Sequence, residues 1–269
     1  MDSDPFQPLI DLITRLRGEN GCPWDRKQTP RTVEGYLIEE AHELASAIRA
    51  GDPSAILEEL GDVLFQVFFI AHLFAETGTF DIGDVVRRIT GKMVRRHPHV
   101  FGDAAAEDDE AVRREWQAIK LAEKAETDPD SSLLDSVPKT LPALIRAYRI
   151  SERAGRIGFD WDDREGVMDQ VEREWGELKA ALAEADGRET DAVAMEFGDV
   201  LLTLVNLARF LKVHPETALS DAVDKFETRF RHMEGAARQR GKLLPDVERD
   251  DMERLWDAAK ADLDGSEAG

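Results

Sequence analysis

Cysteine is nearly absent from this 269-residue chain: Cys22 stands alone, so no disulfide within the chain can brace the fold. Positive charge is in short supply as well. With 35 Lys and Arg against 56 Asp and Glu, the formal net charge is -21, which argues against nonspecific attachment to nucleic acid or to an anionic membrane, since both are polyanions. Long apolar runs are missing. The two most apolar stretches, Val63 to Ala75 and Val200 to Leu211, are shorter than the roughly 20 residues a bilayer span needs, and they carry Gln66, His72, Asn206 and Arg209. They are expected as buried core helices. Period-two alternation is lacking too, which leaves no convincing strand and predicts an all-α architecture. The start of the chain carries no signal peptide, so the expected location is the cytoplasm.

What the chain has in excess is acid, and the acid is patterned. Glu39-Glu40-x-x-Glu43 is followed by Glu59-Leu-Gly-Asp62; Glu174-x-x-Glu177 is followed by Glu196-Phe-Gly-Asp199. Positions three apart share a helix face, so each set presents two carboxylates from one helix and two from the next. Four acids aimed at one place repel unless a cation sits among them. An all-oxygen donor set without cysteine or paired histidines suits Mg²⁺, with Mn²⁺ as a substitute, and such ions commonly share their coordination with substrate phosphates. A solvated acidic face is the plain alternative. It does not explain why the acids open the most apolar helix of each half, or why they do so twice.

The rest of the chain repeats as well. Phe6, Leu9, Ile10, Ile13 and Leu16 recur at helical spacing before the turn Gly21-Cys22-Pro23-Trp24-Asp25. Thr29 and Pro30 open a second helix that Gly51 stops near Arg49; Asp52 and Pro53 open a third that runs to about Glu76. A fourth is expected over Ile82 to Arg96 and a fifth over Asp109 to Lys124, with an acidic solvated loop, Ala104 to Glu110, between them. The plan restarts with a helix over Pro138 to Gly155, the turn Gly158-Phe159-Asp160-Trp161, and four further helices. This gives a first domain over 1–125, a linker over 126–137 and a second domain over 138–269.

Cations and tryptophans follow the acids in both halves: Lys92, Arg96, Trp116 and Lys120 in the first, Lys225, Arg229, Trp256 and Lys260 in the second. The cations, with Arg95 and Arg231, are either phosphate contacts or exposed salt-bridging residues. Trp116 and Trp256 are either platforms for a base or packing residues. Trp24, Trp161 and Trp175 are expected in the core, His97 and His99 in a loop, and Cys22 in a turn without a partner base.

The acid pattern, the Gly-Asp-Val-Leu-Phe run, Cys-Pro-Trp-Asp near the start and Gly-Phe-Asp-Trp before the second unit together resemble the MazG nucleoside triphosphate pyrophosphohydrolases in their two-domain form. The resemblance implies four-helix units completed by homodimerisation and magnesium-dependent hydrolysis of (deoxy)nucleoside triphosphates to monophosphate and pyrophosphate; the expected role is nucleotide-pool housecleaning, with control of an alarmone pool as the alternative. It implies Glu40, Glu43, Glu59 and Asp62, then Glu174, Glu177, Glu196 and Asp199, as metal ligands. Catalytic candidates are Glu39 and Glu40 in the first unit and the four acids of the second. Lys225, Arg229, Trp256 and Lys260 look like the triphosphate and base contacts. Arg173 stands where the first glutamate of the pattern is expected. Either that acid lies outside the ligand set and Arg173 helps bind phosphate, or it is needed and the first unit supplies the activity. Two other readings differ in class. A di-iron bundle wants Glu-x-x-His twice, and Glu39-x-x-His42 meets only Gly176 at the matching place. A catalytically silent interaction module would use the acids for solubility alone.

Overall fold

A computed structural model describes residues 4–102 and 132–264, with Asp108, Ala111, Val112, Glu115, Trp116, Ala118, Ile119, Lys120, Ala122 and Glu123 between them. The chain divides into two compact units, residues 1–129 and 130–269. Every regular element among the described residues is helical.

In the first unit the helices are α1 (Gln7–Arg17), α2 (Pro30–Ala50), α3 (Pro53–Glu76), α4 (Ile82–Arg95) and the short α5 (Pro98–Phe101). Their ends follow from side chains. Thr29 and Thr32 form a reciprocal capping box at the start of α2, and Gly51 closes that helix in the left-handed region, φ 68°. The Asp52 carboxylate accepts from Ser54 N at 2.9 Å to open α3. Asp81 and Asp84 cap each other at α4. Gly21 is needed for another reason: a Cβ there would lie 2.1 Å from the Leu16 carbonyl oxygen, because the chain folds back for Cys22 N to donate to that oxygen.

α2 and α3 form an antiparallel hairpin; α1 and α4 pack on α3. Ile13, Val33, Phe68, Phe69 and Leu73 make the core, with Leu9, Ile10, Phe65, Ile70 and Ile82 against it. At its edge Arg17, only 9% exposed, donates twice to Glu76, at 2.6 and 2.7 Å, and also to the carbonyls of Asp25 and Gln28. One guanidinium thereby ties α1, the Trp24 turn and the end of α3 together. Beyond α5, the described positions from 111 to 123 are helical, and Arg96 holds Glu123 while Trp116 lies against His97. The rest of the expected fifth helix, the acidic stretch 104–110 apart from Asp108, and linker positions 126–131 lie outside the described residues.

In the second unit, α6 (Ala143–Arg156), α7 (Arg164–Ala185), α8 (Asp191–Phe210), α9 (Pro215–Gln239) and α10 (Arg249–Asp264) repeat the plan. α7 and α8 form the hairpin, α6 packs on α8, and α9 pairs with α10 around Met233, Ala237, Leu244, Val247, Leu255 and Ala259. A polar lock occupies the same place as in the first unit with its charges rearranged. Arg209 of α8 pairs with Asp160 of the turn and donates to Ser151 of α6 at 2.8 Å; Ser151 in turn donates to Asn206.

Three expectations are corrected. The helix expected over Pro138 to Gly155 begins at Ala143: Pro142 is its extended N-cap, and a proline disfavours helical backbone at the residue before it. Trp24 and Trp175 are not core residues, being 55% and 50% exposed; Trp24 lies against Tyr36 on the turn and Trp175 stands on the outer face of α7 beneath Lys179, while Trp161 is partly buried. The apolar runs are buried on one side only. Phe68, Phe69, Ala71 and Leu73 are covered in α3 and Val200 and Val205 in α8, but Leu60, Leu64 and Val67, and equivalently Phe197, Leu201 and Leu204, are exposed. Helices packed on one side of a hairpin leave its other side open.

The Arg17 hydrogen bonds hold the Glu76 carboxyl below its ordinary 4.5. A lowered carboxyl contributes stability that is present above 4.5 and lost as pH falls through the folded value. Melts across the acid range are therefore expected to show Glu76→Gln losing less stability than the parent as pH falls below 4.5, and Arg17→Met to cost about 1–3 kcal/mol at neutral pH. Parallel acid limbs for Glu76→Gln and the parent would show that the pair does no such work.

Candidate active site

The hairpins put the patterned acids face to face. In the first unit Glu40 and Glu43 come from α2 and Glu59 from α3, each offering an oxygen within 4.8 Å of the others. In the second, Glu174 from α7 meets Glu196 and Asp199 from α8 within the same limit. The remaining member differs between units: Asp62 in the first and Glu177 in the second stand beside the triple instead of in it. Both still belong to the cluster electrically. Burial, then the charges of Asp62, Glu43 and Glu39, raise the Glu40 carboxyl, against a lowering by a Gln66 hydrogen bond. Burial raises Glu59, then Glu43, Asp62, Glu40 and Glu58; burial raises Glu196, then Glu177, Asp199 and Glu174.

Oxygen donors at this spacing fit a hard divalent cation. One atom makes the fit specific: Glu59 Oε2 is buried without a hydrogen-bond partner among the described residues. A carboxylate oxygen removed from water and left unpaired is costly, and a cation bound between the hairpin's acids would satisfy it.

The other candidates fall into two groups. In the second unit Arg229 and Lys260 flank the Trp256 ring at 5.8 and 5.9 Å, and Phe226 lies 5.2 Å from it, so α9 and α10 gather a tryptophan and its cations; Lys225 is exposed one turn before Arg229. Both readings of Trp256 have a footing here, since it packs and is cation-flanked at once. In the first unit Arg96 is 11% exposed and engaged by Glu123 through two hydrogen bonds, while Lys92 lines a groove on α4 with Phe80, Asp84 and Arg88. Trp116 lies near His97, and Lys120 is part of the same helical stretch. Arg173 and Glu39 are exposed, each next to its unit's first acid. One residue was missed by sequence reasoning: Gln170 donates to Glu174 at 2.5 Å. The available signal was its four-residue spacing from Glu174.

Comparison with known proteins agrees with this layout. The MazG nucleotide pyrophosphohydrolase domain matches residues 28–101 and 163–234, one copy around each acid cluster. A protein of Thermotoga maritima named nucleoside triphosphate pyrophosphohydrolase/pyrophosphatase MazG is 43% identical over 95% of both chains. The nucleoside triphosphate pyrophosphohydrolase of Escherichia coli K12 is 42% identical over 94% of this chain and 95% of its own. YabN of Bacillus subtilis, 46% identical over 95% of this chain, is matched over 51% of its own length.

The raised carboxyls of Glu59 and Glu196 act in the opposite sense to Glu76. In protein without metal, stability falls as they ionise. Glu59→Gln is expected to melt above the parent in EDTA and to gain less than the parent on addition of Mg²⁺. A variant melting below the parent in EDTA would show that the acids are not in conflict.

Proposed function

The chain belongs to the MazG family, and from that membership and the doubled carboxylate centre we propose that it hydrolyses (deoxy)nucleoside triphosphates to monophosphate and pyrophosphate with Mg²⁺, Mn²⁺ substituting. The observation that carries the proposal is the convergence of Glu174, Glu196 and Asp199, and of Glu40, Glu43 and Glu59, across two-helix hairpins, with the Glu59 oxygen left unpaired. Those residues, with Asp62 and Glu177, would hold the ion. When bound, it would offset charge on the phosphate oxygens and make a nearby water more acidic.

The chain's own groups supply the rest. Water adds to the α-phosphorus as the bond from that phosphorus to the α–β bridging oxygen breaks, so the water oxygen stays with the monophosphate and the bridging oxygen leaves with pyrophosphate. A carboxylate of the cluster not fully committed to the ion, Glu177 or Asp62, would orient that water and take its proton. Lys225 and Arg229, with Arg173 from the acid helix, would meet the phosphates, the arginines by paired donors and the lysine as a point charge. Trp256 would stack on the base beside Lys260. Lys92, Arg96, Trp116 and Lys120 are the first unit's counterparts.

A second reading concerns the division of labour. Arg96 of the first unit is engaged by Glu123 and Lys260 of the second by Asp257, but in the second unit Arg229 and Lys260 also lie 5.8 and 5.9 Å from the Trp256 ring, while Trp116 of the first lies against His97. We infer that the second unit carries most of the turnover. The exposed stripes Leu60, Leu64, Val67 and Phe197, Leu201, Leu204 run along the acid-bearing helices at equivalent places in the repeats, which supports a homodimer that buries them in four-helix units. No described helix is long and apolar enough to cross a membrane, and the acidic surface disfavours nucleic acid. The proposed role is removal of unwanted nucleotides from the cytoplasmic pool.

With each nucleotide and Mg²⁺ in ¹⁸O-water, the expected products are labelled monophosphate and unlabelled pyrophosphate; nucleoside diphosphate and orthophosphate would contradict attack at the α-phosphorus. Glu196→Gln with Asp199→Asn is expected to lower kcat by about 100-fold or more, and Glu59→Gln with Asp62→Asn to leave most of it. Light scattering on a column is expected to return twice the 30.2 kDa of one chain. A monomer mass would oppose the buried-stripe account.

A further inference from the structure

The first carboxylate of the second unit's acid cluster is held by a neutral donor on its own helix. Gln170, one turn before Glu174 on α7, donates its amide to Glu174 Oε1 at 2.5 Å. In the first unit the place four residues before Glu40 is taken by Tyr36, which lies against Trp24 instead. The first unit therefore has no carboxamide at that place.

We propose that Gln170 is a positioning residue for the second unit's metal centre, fixing one oxygen of Glu174 so that the other faces the ion. A carboxylate with both oxygens free rotates about its last bond, and in a cluster of like charges it would swing away from its neighbours. A donor on one oxygen removes that freedom. A carboxamide does so without bringing positive charge, as an arginine or lysine would, to compete with the cation. Partners of metal ligands commonly alter metal affinity by about 10–100-fold. This inference rests on the metal-dependent reading of the acid clusters.

Binding of Mn²⁺ to the full chain, without nucleotide, separates the two. Mn²⁺ is titrated by electron paramagnetic resonance in a background of Glu59→Gln and Asp62→Asn, where the second unit alone is intact. Gln170→Leu is expected to weaken that site by about 10–100-fold, with the melting temperature in EDTA not lowered and kcat at saturating Mg²⁺ falling less than the Mg²⁺ requirement rises. In the converse background, Glu196→Gln with Asp199→Asn, Tyr36→Gln, which puts a carboxamide one turn before Glu40 at an exposed position, is expected to tighten the first site. Unchanged Mn²⁺ affinity in Gln170→Leu, or no gain on adding Tyr36→Gln, overturns the positioning role while leaving the hydrolase reading intact. Absence of Mn²⁺ binding by the unmutated chain would instead remove the metal reading beneath it.

Discussion

Like charge held at short range is the constraint from which the rest of this molecule follows. Each hairpin brings three carboxylates within 4.8 Å and sets a fourth beside them. Such a cluster weakens the fold that carries it, so the helices must be pinned elsewhere. Arg17 does this in the first unit by joining α1, the Trp24 turn and α3; Arg209, Ser151, Asn206 and Asp160 do it in the second. The lock is placed at the far end of the acid-bearing helix from the acids themselves. Strain at one end of α3 or α8 is thus balanced by charge-assisted hydrogen bonds at the other.

The two locks make one point together. Duplication has preserved the positions where chemistry needs a specific group, Glu59 with Glu196 and Asp62 with Asp199, and has let the supporting partners move. Where only a geometric result is needed, an arginine on the helix facing a glutamate serves as well as an arginine facing an aspartate from the turn. The cations diverge further: Arg96 is drawn to Glu123, while Arg229 and Lys260 lie over Trp256 and Lys260 pairs with Asp257.

Much of this was legible before any coordinates. The acids declared themselves because three-residue spacing on a helix has one geometric meaning, and the helix starts at Thr29, Asp52 and Asp81 because capping is local chemistry. What escaped depended on contacts distant in sequence or on solvent. The late start of α6 turned on Pro142 as a cap. The exposure of Trp24 and Trp175 reflects which side of each hairpin its neighbours cover, and apolar composition does not encode that. The pairing of Arg96 with Glu123 was likewise invisible, since a helix shows its cations but not what they meet. Gln170 sits at an unremarkable helical spacing and gains meaning only from the carboxylate it touches.

The facing carboxylates are proposed as a cation site and not a solvated acidic face. Crystals grown with Mn²⁺ and a non-hydrolysable triphosphate, measured at the manganese absorption edge, test it most directly. The account predicts an anomalous peak enclosed by Glu174, Glu196 and Asp199, with phosphate oxygens completing its coordination. Nucleotide bound with no peak among those side chains, and the carboxylates turned outward to water in both units, would contradict it.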